Sequence, residues 1–285
     1  MSITTADITK LREAVGAGMM DCKKALEEAN GDQDKAAEIL RKKGIVKAAK
    51  RAEKIAAEGL TSVKISNDTA VIAEVNAETD FAAKSDDFKN LVVVTVDTLL
   101  AEKPATLEAA AASLQGKFSE ATAKIGEKMT LRRFKVVQKN SGENFGAYIH
   151  MAGKISTLVL LTGGDENLAR EVAMHVAAAN PKYLNRELVD AEVLNKEIEI
   201  ASEQLRAQKK PENIIANIVK GKMDKFYGEV CLIEQPFVKD EEKTIGALVS
   251  AAGASVKEFY RFELGEGIEK KSCDFAAEVE AQRNM

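Results

Sequence analysis

Two histidines, three cysteines and one glycine-lysine turn are the residues of this 285-residue chain from which catalysis or ligand binding would most readily be built. A general base needs a hydrogen-bonded partner, and a zinc site needs His and Cys at short spacing. His150 and His175 form no HExxH pattern, and His175 lies in the Ala-rich stretch AMHVAAA, where a histidine is more often packed than catalytic. Cys22, Cys231 and Cys273 are far apart and make no CxxC pair, so neither a disulfide framework nor a zinc knuckle is indicated and a reducing compartment fits. MAGKIS approaches a phosphate loop, but the earlier glycine is missing and Ile155 stands where Ser or Thr would hold magnesium. GLTSVKIS and GEGIEK lack the GxGxxG spacing of a dinucleotide turn, and carboxylates are so plentiful that no pair stands out. The expectation is a binding protein rather than an enzyme, with no cofactor, no metal and no direct nucleotide binding.

The totals narrow the partner. A net charge of −4 and a pI near 5.6 argue against gripping phosphate backbones, so no specific nucleic acid is expected. Residues 1–30 lack an apolar signal core, no stretch approaches the roughly 20 apolar residues of a membrane span, and no lipidation motif is present. The expected location is the cytoplasm, away from membranes.

The elements that would carry any binding surface read as an α+β chain. Residues 1–54 suggest a three-helix unit, TTADITKLREAV, DCKKALEEA and QDKAAEILRKKG, broken by Gly16, Gly18, Asn30 and Gly31 and capped by Asp32. Its tail, 41–54, holds seven basic side chains and one acid and reads as a solvated helical linker, since no aromatic interleaves to stack on bases. Over 55–140, LTSVKI, an SND turn and TAVIAEVNA form a hairpin, followed by two helices and the strand MTLRRFKVV. The order recurs over 141–265, with FGAYIH, ISTLVLLT, a helix and VKEFYRFELG. Two similar three-stranded antiparallel sheets covered by helices are expected. The second copy carries an insertion at about 182–228, where Leu194, Ile198, Ala201 and Leu205 step at the spacing of a coiled-coil seam and Ile215, Val219 and Phe226 answer on a returning helix. This hairpin is a partner arm, a homodimer arm or a piece packed on its own body; pattern leaves the three open. Residues 266–285 suggest a Gly-rich joint and a C-terminal helix.

Some apolar residues fall outside these cores. Lys84 and Ser85 interrupt the stripe of Phe88, Leu91, Val92 and Leu99, so Phe81 either folds under the sheet or stands at its rim facing a partner. Met19 and Met20 in a glycine loop are either loose filler or an adaptable contact patch. A three-helix unit with such a loop looks like a ubiquitin-associated (UBA-like) module, whose loop is the usual contact surface.

GAGMMDCKKALEEANGD, NAETDFAAKSDDF, AMHVAA with NPKYL, and RFELGEGIEK with DFAAEV resemble, in order and spacing from end to end, the bacterial elongation factor Ts family. The resemblance implies a guanine-nucleotide exchange factor that binds elongation factor Tu carrying GDP and expels the GDP. By it, Thr79, Asp80 and Phe81 are the working motif, inserted between helices of the GTPase and disturbing its magnesium region. Ala82, where the family often has Val or another apolar residue, is expected in the same GTPase contact. Met19, Met20, Ile125, Gly126, His150 and Phe275 are implied as further contacts. Cys273 replaces the usual Thr before Asp274, which leaves the start of the terminal helix open. A UBA-like adaptor without a GTPase partner, which a pull-down would separate, and an unrecognised enzyme, which would show turnover without a protein partner, are the competing classes.

Overall fold

The computed structural model describes residues 3–15, 17–50 and 54–268. Three helices come first: α1 (Thr5–Val15), α2 (Met19–Glu28) and α3 (Gln33–Lys50). Asp32 caps α3 by accepting the Lys35 N–H at 3.0 Å, and Asn30 and Gly31 end α2 at positive φ. Leu11, Cys22, Ala25, Leu26, Ala36 and Leu40 close a small core. The helix α3 runs through Gly44 into the basic stretch as far as Lys50.

The first sheet contains β1 (Glu58–Ser66) and β2 (Thr69–Ala77), which lead into α4 (Asp80–Lys84), α5 (Asp86–Glu102), α6 (Leu107–Ile125) and β3 (Met129–Gln138). The second contains β4 (Glu143–His150) and β5 (Ile155–Thr162), followed by α7 (Glu166–Ala179), α8 (Ala191–Ala207), α9 (Glu212–Val230), β6 (Pro236–Phe237), β7 (Asp240–Thr244), α10 (Ile245–Ala251) and β8 (Ser255–Glu263). The strand orders are β1-β2-β3 and β4-β5-β8, antiparallel throughout. Short β6 and β7 pair separately.

Alternation along the strands explains the layering. Val71, Ala73, Val75 and Ala77 of β2 face Phe88, Leu91, Val92, Val96 and Leu99 of α5. Ala70 and Ile72 face Leu158 and Leu160 of β5, with Val137 and Phe145, so the two sheets stack back to back. Val159 and Leu161 turn the other way, onto Ala169, Val172, Ala173 and Val176 of α7. A Cβ on Gly146 would lie 2.0 Å from the Ala169 backbone, so glycine there is what lets α7 lie directly on β4. Burying Phe88 completely is worth roughly 2 to 3 kcal/mol. On the other side, α3 packs on α6 and joins the N-terminal helices to the core.

The insertion forms a helical hairpin. Ile198, Ala201 and Leu205 of α8 meet Ile215, Ile218, Val219 and Met223 of α9, and Arg206 bridges the turn to Glu212 at 2.8 Å. The segment 236–251, left unassigned by periodicity, forms the β6–β7 ribbon and α10.

His175 is packed inside. Its Nδ1 accepts the Val238 N–H at 3.3 Å, which leaves Nε2 to donate to Gln235 Oε1 at 3.0 Å. Burial holds its pKa below the ordinary value. The unfolded chain therefore takes up a proton at higher pH than the folded one, so this contribution is complete above about pH 6.5 and is lost as pH falls toward the lowered folded value. Urea midpoints measured from about pH 7.5 to 5.5 should fall more steeply for the wild type than for His175→Gln; equal slopes would contradict this account.

Candidate functional site

The buried strand β2 ends at Ala77, and the chain turns at once into the one-turn helix α4. Glu78 Oε1 accepts the Lys128 N–H at 2.7 Å. Thr79 donates its N–H to Glu127 Oε2 at 3.0 Å and its hydroxyl to Oε1 at 2.7 Å. The same hydroxyl accepts the Ala82 N–H at 3.2 Å and so caps α4. Ser85 ends α4 and starts α5: its Oγ donates to the Ala82 carbonyl at 2.7 Å and accepts the Phe88 N–H at 3.2 Å. Its extended backbone, φ −66° and ψ 149°, breaks the helix there, which is why the apolar stripe of α5 stops short of Phe81.

Ala82 and Ala83 are buried in the core beneath this turn, so Ala82 supports the mount from inside and offers no outer face. Asp80, Phe81 and Lys84 remain outside. The Phe81 side chain is the most exposed large apolar group among the described residues, at 82% of its full surface. Lys84 Nζ lies 2.6 Å from Asp80 Oδ2 and 5.9 Å from the Phe81 ring centroid. The Lys84 hydrogen bond holds the Asp80 carboxyl below the usual carboxylate range. An aromatic ring thus stands in water on a turn capped by Thr79, with a carboxylate and an ammonium beside it.

Ile125 and Gly126 adjoin this mount, because Gly126, at φ 84°, ends α6 immediately before Glu127. Ile125 is half-buried against the core and Gly126 is exposed. Met19 and Met20, expected in a loop, are instead the first residues of α2; both are exposed, on the N-terminal helices rather than on the mount. His150 is exposed at the end of β4 in the second sheet, between exposed Ile149 and Met151 and stacked on Tyr148 at 6.0 Å. Phe275 and the C-terminal helix expected over 266–285 lie outside the described residues from 269 onward.

The MAGK turn is a short 3-10 turn with Met151 and Ala152 at positive φ, and Lys154 pairs with Glu58 at 3.3 Å. Among the described residues, no group of three or more His, Cys, Asp and Glu is placed to hold a metal ion. No helix of the described residues is long and apolar enough to cross a membrane. Sequence reasoning missed Glu127, which lies far along the chain from Thr79 and carries no local signal, and Lys84, seen only as an interruption of a stripe.

Fold and site together define an α+β protein of two back-to-back antiparallel sheets that holds one aromatic side chain out on a capped helical turn. The family model described as elongation factor TS matches residues 78–266, from the mount through the second sheet. Elongation factor Ts of Pediococcus pentosaceus is 49% identical over 284 residues, covering 98% of this chain and 97% of that one. The chain belongs to the elongation factor Ts family.

Thr79→Ala removes both the cap and the hydroxyl bond to Glu127. It should cost about 1 to 2 kcal/mol of stability by urea denaturation, and Glu127→Gln should cost less in that background than in the wild type. Additive losses would show that the two residues do not act together.

Proposed function

We propose that this protein is a guanine-nucleotide exchange factor of translation elongation, acting in the cytoplasm on elongation factor Tu and carrying out no covalent chemistry. Family membership supports the exchange role. The observation that carries the mechanism is the 82% exposure of Phe81 on a turn capped by Thr79. A GTPase holds its nucleotide through phosphate contacts and magnesium, so an exchange factor needs a rigid wedge that favours a conformation with those contacts broken. Phe81 is that wedge, entering between helices of the GTPase and disturbing its magnesium region. Asp80, held ionised by Lys84, presents an acceptor beside it, and Thr79 with Ala82 keeps the turn in shape.

Burial of Phe81 in a partner groove contributes roughly 2 to 3 kcal/mol, enough to bias a poised equilibrium tenfold or more. A rigid mount adds to this, because little conformational freedom remains to be lost on binding. One side chain does not supply the whole affinity. Ile125 and Gly126 extend the same face, Met19 and Met20 give the UBA-like N-terminal unit its own contact, His150 gives the second sheet another, and Phe275 supplies one from the terminal segment. The hairpin of α8 and α9 is a coiled-coil arm. The units fall at 1–54, 55–140, 141–265 and 266–285.

The test is release of fluorescent GDP from elongation factor Tu. The wild type should accelerate it, and Phe81→Ala should lower the saturating rate at least about tenfold. Since the side chain is exposed, the circular dichroism and melting of Phe81→Ala should match the wild type to within about 0.5 kcal/mol. A fully active Phe81→Ala protein would overturn the wedge; a wild type that does not accelerate release would overturn the function.

A further inference from the structure

The helix α4 is five residues long, and one turn of helix does not hold itself together in water. Its inner face is fixed by Ala82 and Ala83 in the core, and its end by Ser85. Its start depends on a residue from another part of the chain. Glu127 is half-buried, and each of its oxygens takes one Thr79 donor: Oε2 the N–H at 3.0 Å and Oε1 the hydroxyl at 2.7 Å. Because the hydroxyl proton is committed to Glu127, the oxygen is left facing the Ala82 N–H, at 3.2 Å. Removing the carboxylate frees the hydroxyl to rotate, so the cap loosens with it.

Glu127 is itself held on both sides. Gly126, at φ 84°, ends α6 in the left-handed region, which glycine adopts without strain. Met129 is buried at the start of β3, opposite Ala77. Between them, Lys128 donates its N–H to Glu78 Oε1 at 2.7 Å and its Nζ to the Lys54 carbonyl at 2.8 Å. The segment Gly126–Lys128 therefore ties the start of α4, the end of α6 and the chain entering β1 at one place. Phe81 stands two residues past Thr79, and Ile125 two residues before Glu127.

We propose that Glu127 is a positioning residue for nucleotide exchange: through Thr79 it fixes Phe81 to the end of α6, so that the ring and the Ile125–Gly126 face meet the GTPase as one stiff body. This deepens the wedge reading above and rests on it. A ligand shifts an equilibrium only by its difference in affinity for the two states, and equal affinity shifts nothing. A ring on a stiff mount fits the GTPase only after the partner's helices have moved. A ring on a yielding mount fits the undisturbed partner too, and so binds without displacing anything. Glu127 in this role touches no nucleotide; it decides which of the two proteins gives way.

The experiment uses the full chain as wild type, Glu127→Ala, Glu127→Gln and Phe81→Ala, and as Glu127→Ala combined with Phe81→Ala. Release of fluorescent GDP from elongation factor Tu, titrated with each, gives a saturating rate and a half-saturating concentration. Glu127→Ala should lower the saturating rate about fivefold and leave the half-saturating concentration within about twofold of wild type. Glu127→Gln, which keeps one acceptor oxygen, should lower the rate by less, and it decides the matter if Glu127→Ala does not fold. In the Phe81→Ala background, Glu127→Ala should lower the rate by less than about twofold, because the ring it positions is already gone. A purely structural role moves the other parameter: the half-saturating concentration rises as the folded fraction falls, the saturating rate is kept, and both backgrounds respond alike. That pattern, or an equal loss of rate in both backgrounds, would overturn the positioning role. If the wild type accelerates release, Phe81→Ala does not, and both Glu127 variants match the wild type, the positioning role alone fails. If the wild type is inactive, the exchange reading fails, and the positioning role with it.

Discussion

Every residue of β2 from Thr69 to Ala77 is buried, which requires cover on both faces of a nine-residue strand. The helices α5 and α6 supply one cover and the second sheet the other, and the back-to-back architecture follows from that requirement. The same burial gives the strand a fixed end. Immediately beyond Ala77 the cover stops, and Glu78 and Thr79 are tied to Lys128 and Glu127 just before β3. Phe81 is thus held out by the most buried element of the protein, two residues past its tied end, with no flexible loop between.

Burial on both faces also explains why polar residues on β2 are so informative. Glu74 and Asn76 continue the face of Ala70 and Ile72, but where those meet Leu158 and Leu160, Glu74 meets arginines. The interface between the sheets is apolar at one end and polar toward the mount, where Thr61 Oγ1 donates to the Gly153 carbonyl at 2.9 Å and accepts from Ser156 Oγ at 2.8 Å. Hydrogen bonds are directional and apolar packing is not, so the polar end sets the register between the sheets.

Much of this was legible in the residues. The two hairpins, the repeated strand order, the long helices and the α8–α9 pair followed from period-2 and helical spacing with their turn signals. Contacts between distant parts of the chain were not. The pattern left Phe81 balanced between core and rim: the interruption at Lys84 and Ser85 was visible, but the deciding partner, Glu127, is far along the chain and changes no local period. The strands β6 and β7, two and five residues long, are too short to show alternation. Met19 and Met20 looked like loop residues because Gly16 and Gly18 precede them, whereas Gly18 in extended conformation serves as the residue before α2. Nothing in the pattern singled out Glu74, since the bulge in the β2–β3 pairing that brings Arg132 and Arg133 to it is a property of pairing, not of β3 alone.

A wedge acts by coupling two equilibria. If the bound protein lowers the affinity of elongation factor Tu for GDP by some factor, GDP must lower the affinity for the protein by the same factor. The most direct measurement is this coupling at equilibrium: the GDP affinity of elongation factor Tu with and without saturating protein, and the protein's affinity with and without GDP. The account predicts equal factors for the wild type, and for Phe81→Ala a factor reduced at least about tenfold, the loss falling on binding to nucleotide-free elongation factor Tu, where the ring is buried. A coupling factor unchanged by the loss of the Phe81 ring would contradict it.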